Sequence, residues 1–482
     1  PSSLWEPWCF VRCQSQGTLY YDRGPMTSLV PPDNGTEHPT RIRWLIFLLA
    51  GGTSWVLYLH RYTFALIKPR LQDELGLSST QLGYMDSFFS ITYAGLQFPA
   101  GLLADSIGVH WLLGGLILLW SVAMALHAWA PDIQTLYLSR LLFGAGQSGA
   151  YALLSRLTRI WFPASVRTTV QGWVGVFSGR FGGLCANIMF ATFLVGIIGL
   201  DWRIAIYLLA GAGILHGIAF LCVYRESPRD HPWLNKAEVL LIEGAENENP
   251  EQTGADTSIN FRALFGMMRI PAMMNLMMVV AMTITSTIAD QIYSHWIPLF
   301  LSAEHGLNFK EMGIYSALPL LGGACGGAIG GFLTDRLIRQ MGNRRWARSL
   351  IGAAGKAAAG ITLAVALLGF YDDPYVFCGL LFLVKFFADI SLATSWGTIT
   401  DIGGVATASV FAFNNSVASL IGGAFSPIYG LIADSIYGWK MVFYIACAAY
   451  FLCALCWLFV NCTIPVLTPP ERSSNTDRTP SA

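Results

Sequence analysis

Several charged residues lie inside long apolar stretches of the sequence, where burying a charge is energetically costly. An ionisable side chain at the centre of a membrane-spanning helix costs at least about 2.5–3.5 kcal/mol on insertion scales. The residues in such positions are Arg61, Arg140, Arg180, Lys385, Asp290 and Asp389. Four basic groups against two acidic ones leave a positive excess that an anionic ligand could neutralise.

Arg61 has the neighbours expected of an anion-binding side chain. Tyr58 precedes it by three positions and Ser54 by seven, so the three can share one face of a helix. A guanidinium binds a carboxylate in bidentate geometry, which a lysine cannot do. We therefore predict that Arg61 and Tyr58 contact the ligand. The alternative is that Arg61 extends to the membrane surface, where Tyr62 and Lys68 lie nearby.

A polar stripe marks a second stretch, where Arg140, Gly144, Gln147 and Tyr151 recur at helical spacing. The glycine lets another group approach the helix closely. We predict that Arg140 and Gln147 belong to the same binding site. The alternative is that Arg140 is held by a partner acid in a tightly packed helix.

The remaining buried charges can satisfy one another. Lys385 and Asp389 are four positions apart, a spacing that allows an ion pair on one helix and favours a structural role. Arg180 is either a third contact for the anion or the partner of Asp290 or Asp389. We predict a buried charge network from these residues.

Asn414 and Asn415 are adjacent amides in a later apolar stretch. Their side chains could bind ligand hydroxyls or could link neighbouring helices by hydrogen bonds.

These residues must be positioned by membrane-spanning helices. Of 482 residues, 54% are hydrophobic and 12% charged, about half the charged fraction of a soluble protein. The apolar runs approach the roughly 20 residues that cross a bilayer. The predicted spans are 44–67, 84–104, 111–130, 135–158, 168–197 and 203–224, then 272–300, 312–334, 349–371, 376–399, 407–433 and 440–461. The sequence thus predicts an all-α polytopic membrane protein of twelve helices in two halves.

The intervening and terminal segments are polar. We expect a disordered segment at 1–43 with Met26 as a candidate start, a six-helix bundle at 44–224, a cytoplasmic loop at 225–270, a second bundle at 271–462 and a disordered cytoplasmic tail at 463–482. The two bundles repeat short motifs in corresponding places, with GLLADSIG matching GFLTDRLIRQMG and DWRIAIY matching GWKMVFY. Such a repeat is typical of carriers whose substrate site lies between the halves.

The basic residues of the short loops predict the orientation, because cytoplasmic loops are enriched in Lys and Arg. Placing the N-terminus inside gives the cytoplasmic side Arg41, Arg43, Arg156, Arg159, Arg167, Arg336, Arg339, Arg344, Arg345 and Arg348. The other side receives Lys68, Arg70, Arg203, Lys310 and Lys440. Both termini are therefore expected to be cytoplasmic.

Other classes of protein are disfavoured. The net charge of +0 gives no sign of a nucleic-acid partner. Most of the ten cysteines lie in apolar segments without metal-ligand spacing, and we expect neither a metal nor a cofactor. No grouping of Ser, His and Asp rises above chance, so we do not expect an enzyme.

The sequence resembles the major facilitator superfamily over nearly all of residues 41–462. A glycine, an acid and basic residues follow the second helix of each half in that family. The matching residues are Gly101, Asp105 and Gly108 in the first half and Gly331, Asp335, Arg336, Gly342, Arg344 and Arg345 in the second. An acid among arginines at a helix end could form a latch that breaks as the halves move. The alternative is charge that only sets the topology.

More narrowly, the chain resembles the anion:cation symporter family, which includes hexuronate, aldonate, sialic-acid and vesicular-glutamate-type carriers. The resemblance rests on YLHRYTFALIKPRLQDELGLSSTQLGYMDSFFSITYAGLQFPAGLLAD, SRLLFGAGQSGAY and WIPLFLSAEHGLNFKEMGIYSALPLLGGACGGAIGGFLTD. It implies substrate-binding roles for Arg61 and Arg140 and places Tyr293 in the cavity. The alternative for Tyr293 is an anchor of its helix end at the membrane interface, which the neighbouring Trp296 and Pro298 favour.

The pattern of proton-coupled members of that family breaks at two positions. Those members carry an acid just before the first-helix arginine and another in the fourth helix, where this chain has His60 and Gln147. Three hypotheses follow: His60 titrates near neutral pH, Asp290 or Asp389 carries the proton, or transport is not coupled to a cation.

The resemblance and the buried charges together predict a secondary active transporter of a small organic anion, above all a sugar acid such as a hexuronate or aldonate. We expect alternating access coupled to H+ or Na+, in a monomer that spans the cell membrane. An organophosphate exchanger, a uniporter and a sensor that binds a partner through residues 225–270 are the alternatives.

Overall fold

The computed structural model describes residues 38–243, 270–404 and 407–466, and all regular secondary structure in these ranges is helical. The predicted all-α class is therefore confirmed. Within these ranges, nine helices are long and apolar enough to cross a bilayer. Most of the segments predicted at 1–43 and 463–482 and residues 244–269 of the predicted loop lie outside the described residues.

The first half consists of α1 to α8. Its helices are α1 Ile42–Leu75, α2 Ser79–Ile107, α3 Val109–Trp129, α4 Ile133–Ser148, α5 Ala150–Trp161, α6 Ala164–Gly172, α7 Ser178–Cys185 and α8 Trp202–Val223. Two π-helical stretches, Trp173–Phe177 and Ala186–Ile197, flank α7.

The second half consists of α10 to α16, and α9 lies between the halves. The bounds are α9 Lys236–Glu243, α10 Ile270–His295, α11 Ile297–His305, α12 Phe309–Met341, α13 Arg344–Gly369, α14 Pro374–Gly403, α15 Thr407–Ala433 and α16 Gly438–Phe459.

Several helices begin earlier than their apolar runs because polar residues cap them. The Ser78 side chain accepts a hydrogen bond from the amide of Gln81, whose side chain binds back in a capping box, so α2 starts five residues before the predicted 84. Asn308 caps α12 in a similar way, through the amide of Glu311. Hydrophobicity alone does not detect these polar first turns, so the predicted helix starts were too late.

Three predicted helices are interrupted. The span at 135–158 divides at Gly149 into α4 and α5, and the span at 168–197 alternates between α- and π-helix. The span predicted at 272–300 is divided at Trp296: α10 ends at His295, and α11 begins at Ile297 with Pro298 in its first turn. Proline has no amide hydrogen to donate there, so it favours a new helix start over a continuous helix.

Part of the predicted central loop is folded onto the first helix. The buried Glu238 of α9 accepts hydrogen bonds from the hydroxyl of Thr40 (2.6 Å) and the amides of Ile42 (3.0 Å) and Arg43 (3.1 Å). Arg41, the residue before α1, supplies no side-chain cap of its own. A carboxylate nearly 200 residues away in sequence therefore caps α1.

The two halves meet most closely where α1 turns into α2, which we call the Gly76 end. There α2 packs against α15, and a Cβ on Gly83 would lie 2.5 Å from the Cα of Pro427. At the same end, Asp434 accepts hydrogen bonds from the amides of Ser79 (3.1 Å) and Thr80 (2.9 Å). Burial by itself would raise the pKa of Asp434. The hydrogen bonds from Ser79 and Thr80 stabilise the carboxylate more strongly, so the pKa lies below its usual value.

Candidate functional site

Arg61 lies among aromatic rings, and no acidic residue in the described part of the chain is paired with it. Its Nε donates to Oε1 of Gln147 (2.9 Å), and its guanidinium lies 5.2 Å from the ring of Tyr58, 5.1 Å from Phe89 and 4.7 Å from Tyr93. Its Nη2 is buried without a hydrogen-bond partner in the described structure. No ion pair of Arg61 occurs among the described residues, so its charge is compensated there by ring faces, tyrosine hydroxyls and an amide rather than by a carboxylate.

The residues that the sequence predicts beside Arg61 lie around its guanidinium in the structure. The ring of Tyr58 contacts the ring of Tyr151 at 6.3 Å, and Ser54 lies 3.3 Å from the hydroxyl of Tyr151. Gln147 holds its orientation by donating to the carbonyl of Leu57 (3.1 Å) while its oxygen accepts from Arg61. The structure thus brings Tyr58, Arg61 and Gln147 together.

Arg140 is in a different situation, because an acid holds it. Its side chain is 1% exposed, its Nε donates to the carbonyl of Met85 (3.2 Å), and its Nη2 lies 3.4 Å from Oδ1 of Asp86. The guanidinium also packs 4.0 Å from the ring of Phe64. The structure therefore gives Arg140 the partner acid that the alternative interpretation of this residue required.

Asp86 was missed by the sequence analysis and is the centre of a buried polar cluster. Its carboxylate accepts from Nζ of Lys68 (2.7 Å) and the hydroxyl of Ser426 (2.8 Å) and lies 3.3 Å from Nδ1 of His295. Lys68 also donates to the carbonyl of His295 (2.9 Å). The cluster joins α1, α2 and α4 of the first half to α10 and α15 of the second at the Gly76 end.

A second charge cluster lies entirely in the second half. Nζ of Lys385 binds Asp290 (2.7 Å) and Asp389 (2.9 Å), which includes the predicted pair four positions apart. Asp290 also accepts from the hydroxyl of Tyr450 (3.0 Å) and lies 3.7 Å from Nζ of Lys356. Lys356 is 4% exposed in the middle of an apolar helix, a signal that the sequence analysis overlooked.

These clusters correct the predicted count of buried charges. The interior also contains Lys68, Asp86 and Lys356, of which Lys68 was assigned to a surface loop. In the second half, the two lysines and two aspartates of the cluster balance. In the described first half, the interior contains three basic residues, Arg61, Lys68 and Arg140, and one acid, Asp86. The positive excess therefore lies in the first half.

Other predicted residues are more scattered. Tyr293 is 3% exposed, with its ring 5.5 Å from Nζ of Lys385. Asn414 accepts from the hydroxyl of Thr283 (2.8 Å), and Asn415 donates to Gln97 of the first half (3.4 Å). The two amides thus have different partners.

His60 and Arg180 complete the predicted set. His60 is 2% exposed and its Nε2 lies 3.0 Å from the carbonyl of Leu209. Arg180 lies in α7, but its side chain is outside the described structure, as is that of Asp105 in α2.

The predicted latch residues of the second half have unexpected partners. Arg344 lies 3.5 Å and Arg348 2.6 Å from the carboxylate of Asp401, at the end of α14. Asp335 and Arg336 are exposed, and Arg345 packs on the ring of Trp346 at 5.1 Å. Gly331 lies in α12, and in the first half Gly101 lies in α2 while Gly108 has a φ of 83° between α2 and α3. No contact joins Asp335 to Arg344 or Arg345 in the described structure.

A match to a protein family over most of the chain identifies its class. Residues 50–427 match the Major Facilitator Superfamily, and the chain belongs to it. It is a multi-pass cell-membrane protein of a transporter family rather than an enzyme, as the sequence analysis predicted.

Three relatives named as transporters match most of the chain. It is 27% identical over 419 residues to a probable sulfoacetate transporter of Cupriavidus necator, which covers 87% of this chain and 94% of that protein. It is 26% identical over 407 residues to the hexuronate transporter of Escherichia coli, covering 82% and 88%. A probable galactarate/D-glucarate transporter of Escherichia coli is 24% identical over 455 residues, covering 92% and 96%.

Solved structures support the same fold. A bacterial homologue of the human lysosomal transporter Spinster, inward-facing and unoccupied, superposes with a TM-score of 0.65 at 17% identity, covering 87% of this chain and 95% of that one. A D-xylose–proton symporter gives a TM-score of 0.65 at 16% identity, covering 87% and 98%.

Proposed function

We propose that this protein is a secondary transporter of a small organic anion, with a sugar acid as the leading candidate. The observation that carries the proposal is the unpaired guanidinium of Arg61. It has a buried Nη2 without a partner and no acid among the described residues, next to hydroxyl and amide groups that suit a hydroxylated substrate. The names of the relatives, which include hexuronate, galactarate/D-glucarate and sulfoacetate transporters, support an organic anion.

Arg61 is a better candidate than Arg140 for the direct contact. Asp86 already neutralises part of the charge of Arg140, and an anion that bound Arg140 would compete with a buried carboxylate. An anion at Arg61 would instead supply the counter-charge that the described protein does not provide. We therefore propose that Arg61, Tyr58 and Gln147 bind substrate, and that Arg140 orients the cluster around Asp86.

Alternating access is the mechanism that we propose for the two halves. In this scheme twelve spans form two bundles, both termini are cytoplasmic, and the Gly76 end faces the outside. The Asp86 cluster and the Asp434 contacts close that end between the halves, whereas Asp335 and Arg336 at the opposite end of α12 are exposed. This arrangement supports an inward-facing state. We further propose that the protein acts as a monomer, since Tyr58, Arg61 and Gln147 come together within the first half of one chain.

Two modes of energy coupling remain as candidates. Cation symport is the first. Exchange or uniport is the second, and it is favoured by a specific observation: Asp86, Asp290 and Asp389 each lie within 3.0 Å of a lysine Nζ. A lysine ammonium competes with a proton or Na+ for the same carboxylate oxygens.

A doubly charged organophosphate is a weaker candidate for the substrate. It would favour two or more unpaired arginines, whereas, of the arginines described deep within the spanning helices, Arg140 is paired with Asp86 and only Arg61 lacks an acid. A sensor on the same fold would bind the anion without moving it.

Uptake of labelled hexuronates, aldonates, aldarates and sulfoacetate into proteoliposomes tests the proposal. We expect saturable uptake of at least one of these anions, lost in Arg61→Gln and not restored in Arg61→Lys, because an ammonium lacks the bidentate geometry. Arg70→Gln, at an exposed arginine of the same helix, is the matched control and should retain uptake.

Full uptake by a folded Arg61→Gln variant would contradict the assignment of Arg61, and binding without flux would favour the sensor. An imposed pH or Na+ gradient separates the coupling modes. Symport predicts accumulation that follows one gradient, whereas exchange predicts uptake that depends on anion preloaded inside the vesicles.

A further inference from the structure

A small cavity lies inside the first half, apart from the contacts of Arg61. Side chains of α1, α3, α4 and α8 line it, and all nine of them are at most 4% exposed. The space open to the centre of a water-sized sphere is about 10 Å³. That is close to the roughly 10–15 Å³ needed to hold one water molecule.

Several polar atoms on the cavity wall lack a hydrogen-bond partner in the described structure. The wall includes His60, His127 and Arg140. Nδ1 of His60, both ring nitrogens of His127 and Nη1 of Arg140 are buried without a hydrogen-bond partner in the described structure. A buried polar atom that is left unsatisfied destabilises the folded state, because it has lost its hydrogen bonds to water. Several of them around one cavity point to a ligand that binds there.

We propose that this cavity is a binding site for one ordered water molecule that links Arg140 to His127 and His60. A water molecule has the two donors and two acceptors that this mixed wall requires. It accepts from Nη1 of Arg140 and donates to unprotonated ring nitrogens of the histidines. Nε2 of His60 is already engaged at 3.0 Å with the carbonyl of Leu209, which leaves Nδ1 as the acceptor.

The water supports the inter-half cluster through Arg140. Nε and Nη2 of Arg140 face Met85 and Asp86, so Nη1 is the edge of the guanidinium that needs a partner on the opposite side. A water there completes its hydrogen bonds and holds the other edge against Asp86. Because every lining residue belongs to the first half, the site should persist when the halves move apart.

A structure at a resolution that reveals ordered water is the direct test. We expect one peak within hydrogen-bonding distance of Nη1 of Arg140 and of a ring nitrogen of His127. An empty cavity would overturn the proposal. So would an anomalous peak at this position after replacement of chloride by bromide, since the ligand would then be an anion.

A second test compares the melting temperatures of two variants, because a bound water and a dry cavity predict opposite orders. If water is bound, His127→Leu removes one of its partners and strands Nη1 of Arg140, so the melting temperature falls, and His127→Gln, which keeps polar atoms, restores part of the loss. If the cavity is dry, His127→Leu removes an unsatisfied polar group and raises the melting temperature above that of His127→Gln. The second order of melting temperatures would overturn the proposal. Neither outcome depends on which anion is transported.

Discussion

Arg61 and Arg140 contact the same ring, that of Phe89, yet their chemistry differs because of a single neighbour. Arg140 has the carboxylate of Asp86 beside it, whereas Arg61 has only the amide oxygen of Gln147. A buried guanidinium that is paired is a structural element, and one that is unpaired is available to an anion. The identity of the residue at position 147 therefore controls the charge of the site.

Gln147→Glu tests that control. The introduced carboxylate would lie on Nε of Arg61 and compete with the substrate, so we expect KM at neutral pH to rise about tenfold, equivalent to about 1.4 kcal/mol. Uptake measured across a range of substrate concentrations gives KM. Gln147→Leu is the control, because it removes the amide without adding a charge. It should raise KM less than Gln147→Glu does. An unchanged KM in Gln147→Glu would show that substrate does not bind at Arg61.

Asp86→Asn tests the cluster that sequence reasoning missed. The change leaves Lys68 and Arg140 buried without their acid, and breaking a buried pair in this way costs about 3–5 kcal/mol. We expect a clear fall in melting temperature in detergent, partly recovered when Lys68→Met is added. Asp132→Asn, at an exposed acid that caps α4, is the control and should change stability much less. Equal melting temperatures for the two single variants would contradict the structural role of Asp86.

At the scale of elements, the connection between the halves is more than a tether. Part of it forms α9, whose Glu238 caps the N-terminus of α1. Since α1 also carries Arg61 and Lys68, the same helix links this contact to the candidate site and to the Asp86 cluster. The position of α1 thus depends on a carboxylate outside the helix.

Glu238→Ala removes that cap. Loss of a helix N-cap costs about 0.5–2 kcal/mol, and we expect a corresponding decrease in melting temperature. Glu238→Gln keeps an acceptor oxygen and should lose less. Asp230→Asn, at an exposed acid in the same segment, serves as the control. The role of Glu238 would be refuted if Glu238→Ala melted at the wild-type temperature.

At the scale of the whole molecule, the alternating access that we propose requires the Gly76 end to open. Its closure depends on close approach of α2 and α15, which Gly83 permits beside Pro427. The hydrogen bonds of Asp86 and Asp434 to the other half add polar contacts at the same end. A side chain at position 83 should therefore disfavour this closed state without removing any polar group.

Gly83→Val is expected to hold the Gly76 end apart and slow uptake several-fold. Spin labels at Pro131 and Asp372, exposed in loops of the two halves, should show a longer distance distribution in this variant. Gly95→Val is the matched control, because a Cβ at Gly95 in the same helix has no neighbour within 4 Å. Identical distance distributions in Gly83→Val and the wild type would refute the role of this contact.

The sequence by itself determined the all-α membrane class and the family. Apolar length reports the bilayer directly, and the motifs around Arg61, Arg140 and Gly331 are local in sequence. It also predicted the pair of Lys385 and Asp389, because a spacing of four on one helix fixes proximity. Helix ends set by caps, such as Ser78 and Asn308, were less accurate because hydrophobicity does not detect them.

Only the tertiary structure decided which buried charges are paired. Asp86 lies 18 residues from Lys68, 54 from Arg140 and 340 from Ser426, and no local pattern brings these residues together. Packing of α1, α2 and α4 against α10 and α15 does so. The burial of their charges makes the pairing energetically important. With Asp86 bound to Lys68 and Arg140, Arg61 has no acid beside it among the described residues.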